Sequence, residues 1–137
     1  MISLTIDGKP RGKGRPRFTK SGNTYTPKET SEYEALVATA YKSKSKGEYF
    51  DKGVPLRMVI AAYYGIPKSA GKRESGQMVS GEIRPRKKPD LDNVIKIIMD
   101  ALNGVAYHDD AQVVSVQAYK FYSLHPRVEV TVGRIDK

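Results

Sequence analysis

Residues 90–104 have the sequence DLDNVIKIIMDALNG, which predicts an amphipathic helix. Pro89 disfavours helical dihedral angles at Lys88, so the helix is expected to begin with Asp90 as its N-cap and to end at Asn103-Gly104. The apolar side chains recur every three or four residues, as on the buried face of a helix: Val94, Ile95, Ile98, Met99 and Leu102.

Five further segments have the spacing of regular structure. Alternating apolar residues predict strands at 2–6, 56–64, 112–122 and 127–134. A helix is expected over about 27–45, because a capping box at 26–29 coincides with Pro27 at the first helical position. Its predicted apolar face consists of Tyr33, Leu36, Val37, Ala40 and Tyr41.

Two segments lack this spacing and are predicted to be basic loops, at about 9–25 and 67–89. The first has the glycine and polar residues to close in a hairpin, and the second is expected to be mobile, as either a functional loop or a tolerated insertion. At 137 residues the chain predicts one α+β domain, residues 1–137. In it a small mixed or antiparallel sheet of about four strands packs with two helices.

Charge is distributed unevenly along the chain. Residues 9–20 contain six cations and no acid, whereas residues 90–110 contain five aspartates and only Lys96 as a cation. The second window carries −4, so the rest of the chain carries +13 against an overall +9. A basic body around an acidic focus is typical of a protein that binds a polyanion and holds a divalent cation. A soluble protein with scattered surface charge fits the composition equally well.

Composition excludes several classes of site. The chain has no cysteine and only two histidines, which excludes disulfides, thiolate zinc sites, iron–sulfur clusters and cysteine nucleophiles. No apolar run approaches the roughly 18 residues that cross a bilayer, and the first residues form no leader. We therefore expect an intracellular, cytoplasmic protein without a membrane partner or an organic small-molecule cofactor.

Two acidic pairs flank the predicted helix, Asp90 with Asp92 and Asp109 with Asp110. A helix and the strand after it commonly pack together, which permits the two pairs to form one cluster. Clustered carboxylates without histidine or cysteine suit Mg²⁺. The same residues also have a structural explanation, because aspartate is favoured at helix N-caps and Asp92, Lys96 and Asp100 are spaced for surface salt bridges. Both interpretations stay open on the residues alone.

The residues around both pairs resemble the signature of the RusA family of Holliday-junction resolvases. The matching segments are KPDLDN at 88–93, Lys96, DALNG at 100–104 and DDAQV at 109–113. In addition, GKGRPR at 12–17 followed by YTP at 25–27 is similar to the N-terminal segment of many members. The resemblance covers most of the chain and is weakest over 42–87.

This resemblance implies that Asp90, Asp92, Lys96 and Asp110 are catalytic. The three aspartates would hold the metal, and Asp109 is included among the predicted metal ligands because it matches a frequently shared position. The family is dimeric, requires Mg²⁺ or Mn²⁺, and nicks two strands of a four-way junction symmetrically. The resemblance therefore implies a Mg²⁺-dependent homodimeric endodeoxyribonuclease, for which Mn²⁺ substitutes, acting on branched DNA. It also implies a bacterial or phage protein that is associated with the nucleoid.

Affinity for DNA is expected to come from phosphate contacts, which carry no base information by themselves. The predicted contact residues are Lys13, Arg15, Arg17, Arg84, Arg86, Lys87 and Lys88. One acidic focus gives one active site, so two copies about a twofold axis would present two. Candidates for the contact between copies are Val59, Ala61, Val114 and Phe121. Two other functions remain open: a catalytically silent binder of structured nucleic acid, and a phosphohydrolase of small nucleotides, which the large cationic surplus disfavours.

Overall fold

A four-stranded mixed sheet forms the centre of the computed structural model, which describes residues 1–136. The elements follow the chain as β1 (Ile2–Asp7), β2 (Arg17–Phe18), β3 (Thr24–Tyr25), α1 (Lys28–Ser45), β4 (Leu56–Gly65), α2 (Lys72–Ser80), α3 (Leu91–Leu102), β5 (Val113–Ser123) and β6 (Arg127–Arg134). The strand order in the sheet is β1-β6-β4-β5. Strand β6 is antiparallel to β1 and β4, whereas β4 and β5 are parallel. The predicted α+β fold is confirmed.

Strand β4 shows why one face of the sheet is the core. Its side chains at Leu56, Met58, Ile60, Ala62 and Tyr64 are at most 3% exposed, while the intervening ones are half-buried. This alternation places the even-numbered side chains on one face. Helices α1 and α3 contribute to the same buried cluster. The predicted packing of the sheet with two helices is therefore confirmed, and the third helix, α2, lies against β5.

Helix α1 differs from its prediction at its beginning and on its buried face. It begins at Lys28 with Pro27 in an extended N-cap conformation, and no side chain caps it, so the predicted capping box is wrong. Leu36 was predicted on the buried face but is 56% exposed, because the buried stripe passes through its neighbour Val37. The stripe consists of Thr30, Tyr33, Val37 and Tyr41, spaced by three or four residues.

The prediction of a structureless loop at 67–89 is wrong over its middle part. Helix α2 occupies Lys72–Ser80, with Gly71 as its N-cap and Gly81 at its C-terminal end in a left-handed conformation, φ 90°. Glycine suits the position of Gly81, because a Cβ would strain a left-handed backbone there, whereas Gly71 has an ordinary extended backbone. Met78 anchors the helix to the rest of the protein and is 6% exposed. Gly71 and Gly81 therefore mark the two ends of a helix and do not prevent one from forming.

Helix α3 agrees closely with its prediction. Asp90 is the N-cap and Asn103 follows the last residue, as expected. Val94, Ile98 and Leu102 are completely buried, while Ile95 and Met99 are partly buried beside the core. Two residues outside the predicted stripe, Ile97 and Ala101, are buried as well. Within residues 1–136 none of the helices is both long and apolar enough to cross a membrane.

Candidate active site

The N-terminus of α3 carries two carboxylates that the helix itself does not use. Asp90 has the extended backbone of an N-cap, but its side chain accepts no capping hydrogen bond. Its Oδ2 instead lies 3.2 Å from Lys88 Nζ in an exposed ion pair. Asp92 is exposed and makes no hydrogen bond or ion pair with any residue from 1 to 136. The structural explanation of these residues as caps and salt-bridge partners is thus weakened.

Asp100, near the C-terminal end of α3, is the centre of a partly buried network of ion pairs that includes two lysines. Asp100 receives Lys96 Nζ on Oδ1 at 3.0 Å and Lys13 Nζ on Oδ2 at 3.1 Å. Lys13 also contacts Glu34 Oε2 at 2.8 Å, which links α1 to α3. The charge of Lys13, a predicted DNA contact, is therefore balanced within the chain. Lys96 remains 59% exposed, so its ammonium group is oriented by Asp100 and still reaches solvent.

The network changes the acidity of its members. Burial of the Asp100 carboxyl group opposes ionisation, but hydrogen bonds from Lys96 and Lys13 outweigh burial and lower the pKa of Asp100 below its usual 3.8. Burial likewise opposes the charged form of Lys13, while hydrogen bonds to Glu34 and Asp100 raise its pKa above 10.5. Both groups therefore stay charged over the range between these two values, and the bridge persists throughout it.

The basic segment before β2 is docked on both helices through close backbone approaches. The main-chain N–H of Lys13 donates to the Asn93 carbonyl oxygen at 3.0 Å. A Cβ on Gly12 would lie 2.9 Å from Pro89 Cβ, and one on Gly14 would lie 2.6 Å from Thr30 Oγ1. Glycine at these two positions is what allows the segment to approach so closely. We call residues 9–17 the arm.

A groove of about 640 Å³ runs between the arm and the N-terminus of α3. Its lining includes Pro89 and Asn93, which neighbour the two carboxylates, and one acid, Glu29, against five cations: Arg11, Lys13, Arg15, Arg17 and Lys88. Because cations line a groove that opens beside acidic residues, this part of the surface combines phosphate attraction with candidate metal ligands. The arrangement agrees with the predicted phosphate contacts of Arg15, Arg17 and Lys88.

The other predicted phosphate contacts lie on the opposite side of α3, against β5. Arg84 Nε donates to the Lys120 carbonyl oxygen at 2.6 Å, and its guanidinium group lies 4.1 Å above the Phe121 ring. Lys87 is exposed, and its carbonyl oxygen accepts a 2.7 Å hydrogen bond from Lys120 Nζ. Arg86 is exposed and unpaired among residues 1–136. Arg84 is therefore already engaged, whereas Arg86 and Lys87 present their charge to solvent.

The second acidic pair begins the strand after α3. Asp110 opens a short 3₁₀ turn, Asp110–Gln112, and its Oδ2 lies 3.4 Å from Asn103 Nδ2. Buried Gln112 fixes this turn with four hydrogen bonds. Its Oε1 accepts the N–H groups of His108 and Asp109, at 2.9 and 3.1 Å, and its Nε2 donates to the carbonyl oxygens of Asp51 and Val54, at 2.8 and 3.1 Å. Sequence reasoning did not single out Gln112, although it lies in the DDAQV segment.

The two acidic pairs stand at opposite ends of α3. The helix has 12 residues, which corresponds to a length of about 18 Å. Ligands of one Mg²⁺ lie within about 4 Å of one another, since each oxygen is about 2.1 Å from the ion. Accordingly, no group of three or more histidine, aspartate or glutamate side chains within residues 1–136 is placed to hold a metal. One copy of the chain does not bring Asp90 and Asp92 together with Asp109 and Asp110.

Buried Tyr107 shows where the negative charge accumulates at the second end. Its hydroxyl donates to the Met99 carbonyl oxygen at 2.8 Å. Burial raises the pKa of Tyr107, and the nearby carboxylates of Asp110, Asp100 and Asp109 raise it further. Three carboxylates thus act on the same hydroxyl, so this end of α3 is strongly acidic. Oxygen-only donors at both ends are the ligand type that Mg²⁺ prefers, and in this respect the residues fit a magnesium centre.

Comparison with known proteins bears on these residues directly. The family model described as Endodeoxyribonuclease RusA matches residues 7–133, which include both acidic pairs and the whole arm. The chain is 37% identical to YqaN of Bacillus subtilis (strain 168) over 143 aligned residues, covering 98% of this chain and 97% of that protein. It is 30% identical to the crossover junction endodeoxyribonuclease rusA of Lactococcus phage r1t over 124 aligned residues, covering 90% of this chain and 82% of the phage protein.

Proposed function

Because the chain belongs to the RusA family of endodeoxyribonucleases and is therefore a nuclease, we propose that it resolves four-way DNA junctions by paired nicks, as a Mg²⁺-dependent homodimer. The observation that carries this proposal is the free Asp92 carboxylate, which directly precedes Asn93, a residue that lines the basic groove. A surface carboxylate there repels DNA phosphates unless a cation lies between them. The same placement is unexplained by capping or by salt bridges.

Each predicted residue has a task that its position supports. Asp90, Asp92, Asp109 and Asp110 would hold the cation, which supplies an activated water and neutralises phosphate charge when bound. The arm and Lys88 attract the DNA backbone to the groove. Lys96 points its ammonium group to solvent from the same helix as Asp92, held by Asp100, and stabilises the negative charge that develops on the leaving 3′ oxygen. The products are a 5′-phosphate and a 3′-hydroxyl.

The separation of the acidic pairs favours a site shared by two copies. Helix α3 keeps Asp92 far from Asp110 within one chain, yet both match the same family signature. A twofold arrangement that places the N-terminus of α3 of one copy beside the Asp109-Asp110 turn of the other completes two equivalent sites at once. Two sites related by a twofold axis also match the approximate twofold symmetry of a four-way junction.

The first experiment tests Asp92 on a synthetic four-way junction with a mobile core. Asp92→Asn keeps the size and polarity of the side chain but removes the charge that a hard cation needs. Junction binding in Ca²⁺ should be unchanged, while nicking in Mg²⁺ should fall by orders of magnitude. Asp7→Asn, an exposed aspartate at the end of β1, is the matched control and should nick normally. Loss of folding and binding with normal turnover per folded molecule would make Asp92 a structural residue.

The second experiment mixes two inactive variants, Asp92→Asn and Asp110→Asn, on a supercoiled cruciform plasmid. If each site combines Asp92 of one copy with Asp110 of the other, half of the sites in a mixed dimer keep both residues and nicked circles appear. If each site uses both residues of one copy, every site in the mixture is defective and the plasmid stays supercoiled. Wild-type dimers should give linear product within one binding event.

A further inference from the structure

The hairpin of β2 and β3 leaves an aromatic side chain in water. Phe18 is 74% exposed and Tyr25 is 48% exposed. The two strands pair only with each other, Arg17 with Tyr25 and Phe18 with Thr24. Phe18 and Arg17 are consecutive strand residues, so their side chains lie on opposite faces of the hairpin. One face therefore carries Phe18 opposite Thr24, and the other carries Arg17 opposite Tyr25, so Phe18 has no aromatic neighbour on its own face.

The hairpin is held by its own hydrogen bonds and does not need Phe18 for them. The Thr19 N–H donates to the Asn23 carbonyl oxygen at 2.7 Å, and the Gly22 N–H donates to the Thr19 carbonyl oxygen at 3.0 Å. Thr19 Oγ1 also accepts the Asn23 N–H at 3.1 Å. Because the turn is closed by these contacts, the exposure of Phe18 is not a by-product of an unformed segment.

Charge around the hairpin selects the kind of partner that it meets. From Gly8 to Lys28 the chain contains seven cations and no aspartate or glutamate. The hairpin continues from the arm, whose Lys13 N–H is bonded to Asn93 on α3, and its first residue, Arg17, lines the groove. A second copy of this surface would face it with like charge, whereas a nucleic acid offers both phosphates and base faces.

We propose that Phe18 is a wedge that enters the base stack of the DNA at the branch point, with Arg17 on the neighbouring phosphate. This inference rests on the proposed function and adds a structure-sensing element to it. Proteins that bind the minor groove of DNA frequently insert apolar side chains between base steps and partially unstack them. Insertion is least costly where stacking is already interrupted, and a four-way junction interrupts it at the point of strand exchange. The wedge therefore favours branched over continuous DNA.

The test measures unstacking with 2-aminopurine placed at the branch point of a junction, and in a second junction placed within an arm. All proteins carry Asp92→Asn and are bound in Ca²⁺, so no cleavage disturbs the signal. Binding should raise the fluorescence of the branch-point probe but not of the probe within the arm. Phe18→Ala should abolish that rise and lower the ratio of junction to duplex affinity by on the order of tenfold. Phe18→Trp should retain both.

Leu124→Ala is the matched control, because Leu124 is an equally exposed apolar residue, at 73%, in the turn between β5 and β6. It should leave the fluorescence and the affinity ratio unchanged. If the Asp92→Asn protein binds the junction and Phe18→Ala alters neither reading, the wedge is refuted while the nuclease assignment stands. If the parent protein fails to prefer junctions at all, the proposed function itself fails. A change of sedimentation from dimer to monomer in Phe18→Ala would instead make Phe18 a contact between copies and overturn the wedge.

Discussion

Substitution of Gly12 by alanine probes how firmly the arm is docked on α3. The new Cβ would lie 2.9 Å from Pro89 Cβ and 3.0 Å from Asn93 Cβ. Carbon atoms in contact are ordinarily about 3.5–4.0 Å apart. Both obstructing atoms are Cβ atoms fixed to the backbone, so neither can rotate away, and the arm itself must move.

The cost of that movement is limited by the interactions that dock the arm. Lifting it weakens the hydrogen bond from Lys13 N–H to Asn93, worth about 1 kcal/mol, and strains the ion pairs of Lys13 with Glu34 and Asp100. Overpacking of this kind costs about 1–3 kcal/mol. With a urea dependence of about 2 kcal/mol per molar for a chain of this size, the unfolding midpoint should fall by about 0.5–1.5 M.

The assay compares Gly12→Ala with Gly76→Ala by urea unfolding and by limited trypsin cleavage. A Cβ on Gly76, in α2, would have no atom within 4 Å. That variant should therefore be neutral or stabilised by up to about 1 kcal/mol, since alanine is the better helix former. Only Gly12→Ala should expose the arm to cleavage after Arg11 and Arg17, the two arginines of the arm that no proline follows. An unchanged midpoint together with unchanged cleavage would refute the docking geometry.

Three other variants test the site and its support. Lys96→Ala should lower the nicking rate by about a hundredfold or more at an unaltered Mg²⁺ requirement, with a urea midpoint lowered only by the loss of its ion pair with Asp100. Lys28→Ala, which removes another helical ion pair, should nick normally. Normal nicking by both variants would end the role of Lys96. Gln112→Leu leaves two N–H and two carbonyl groups without their partner, so the free energy of unfolding in urea should fall by about 2–4 kcal/mol. A fall of less than about 0.5 kcal/mol would contradict the structural role of Gln112. The pKa of Asp100 is depressed in the fold, so the stabilisation from its carboxylate is present above the unfolded pKa near 3.8 and is lost as the pH falls through the folded pKa. The difference in urea midpoint between wild type and Asp100→Asn should therefore be clear at pH 7 and vanish well below pH 3.8. A difference that stays constant with pH would contradict the ion-pair explanation.

Strong periodicity made the buried elements predictable. Helix α3 and strand β4 have apolar residues at almost every core position, and both were placed within about one residue. Helix α2 escaped prediction because Gly71, Gly76 and Gly81 lower helix propensity, and its burial depends on one methionine. Tertiary packing stabilises such a helix, and the local sequence does not show that packing.

The layout of the candidate site depended on contacts that are distant in sequence. Lys13 meets Asp100 across 87 positions, and no local pattern indicates that pair. The expected return of the chain beside α3 does occur, because Lys120 of β5 bonds to the Lys87 carbonyl oxygen near the beginning of α3. Asp109 and Asp110, however, lie before the first residue of β5 and so remain at the other end of the helix. The sequence singles out the candidate residues, but only the fold shows that the two acidic pairs lie apart.

The central position of β6 governs how the chain reaches its fold during synthesis. Strands β1 and β4 do not pair with each other, because β6 lies between them and bonds to both. A nascent chain that has emerged from the ribosome only to Pro126 already holds the arm, both acidic pairs and α3, yet β1 has no partner in the sheet. Pairing that spans most of the chain is slow to form, since loop closure must precede it. The nuclease therefore acquires its complete sheet, and with it a rigid platform for the carboxylates, only after β6 has been translated.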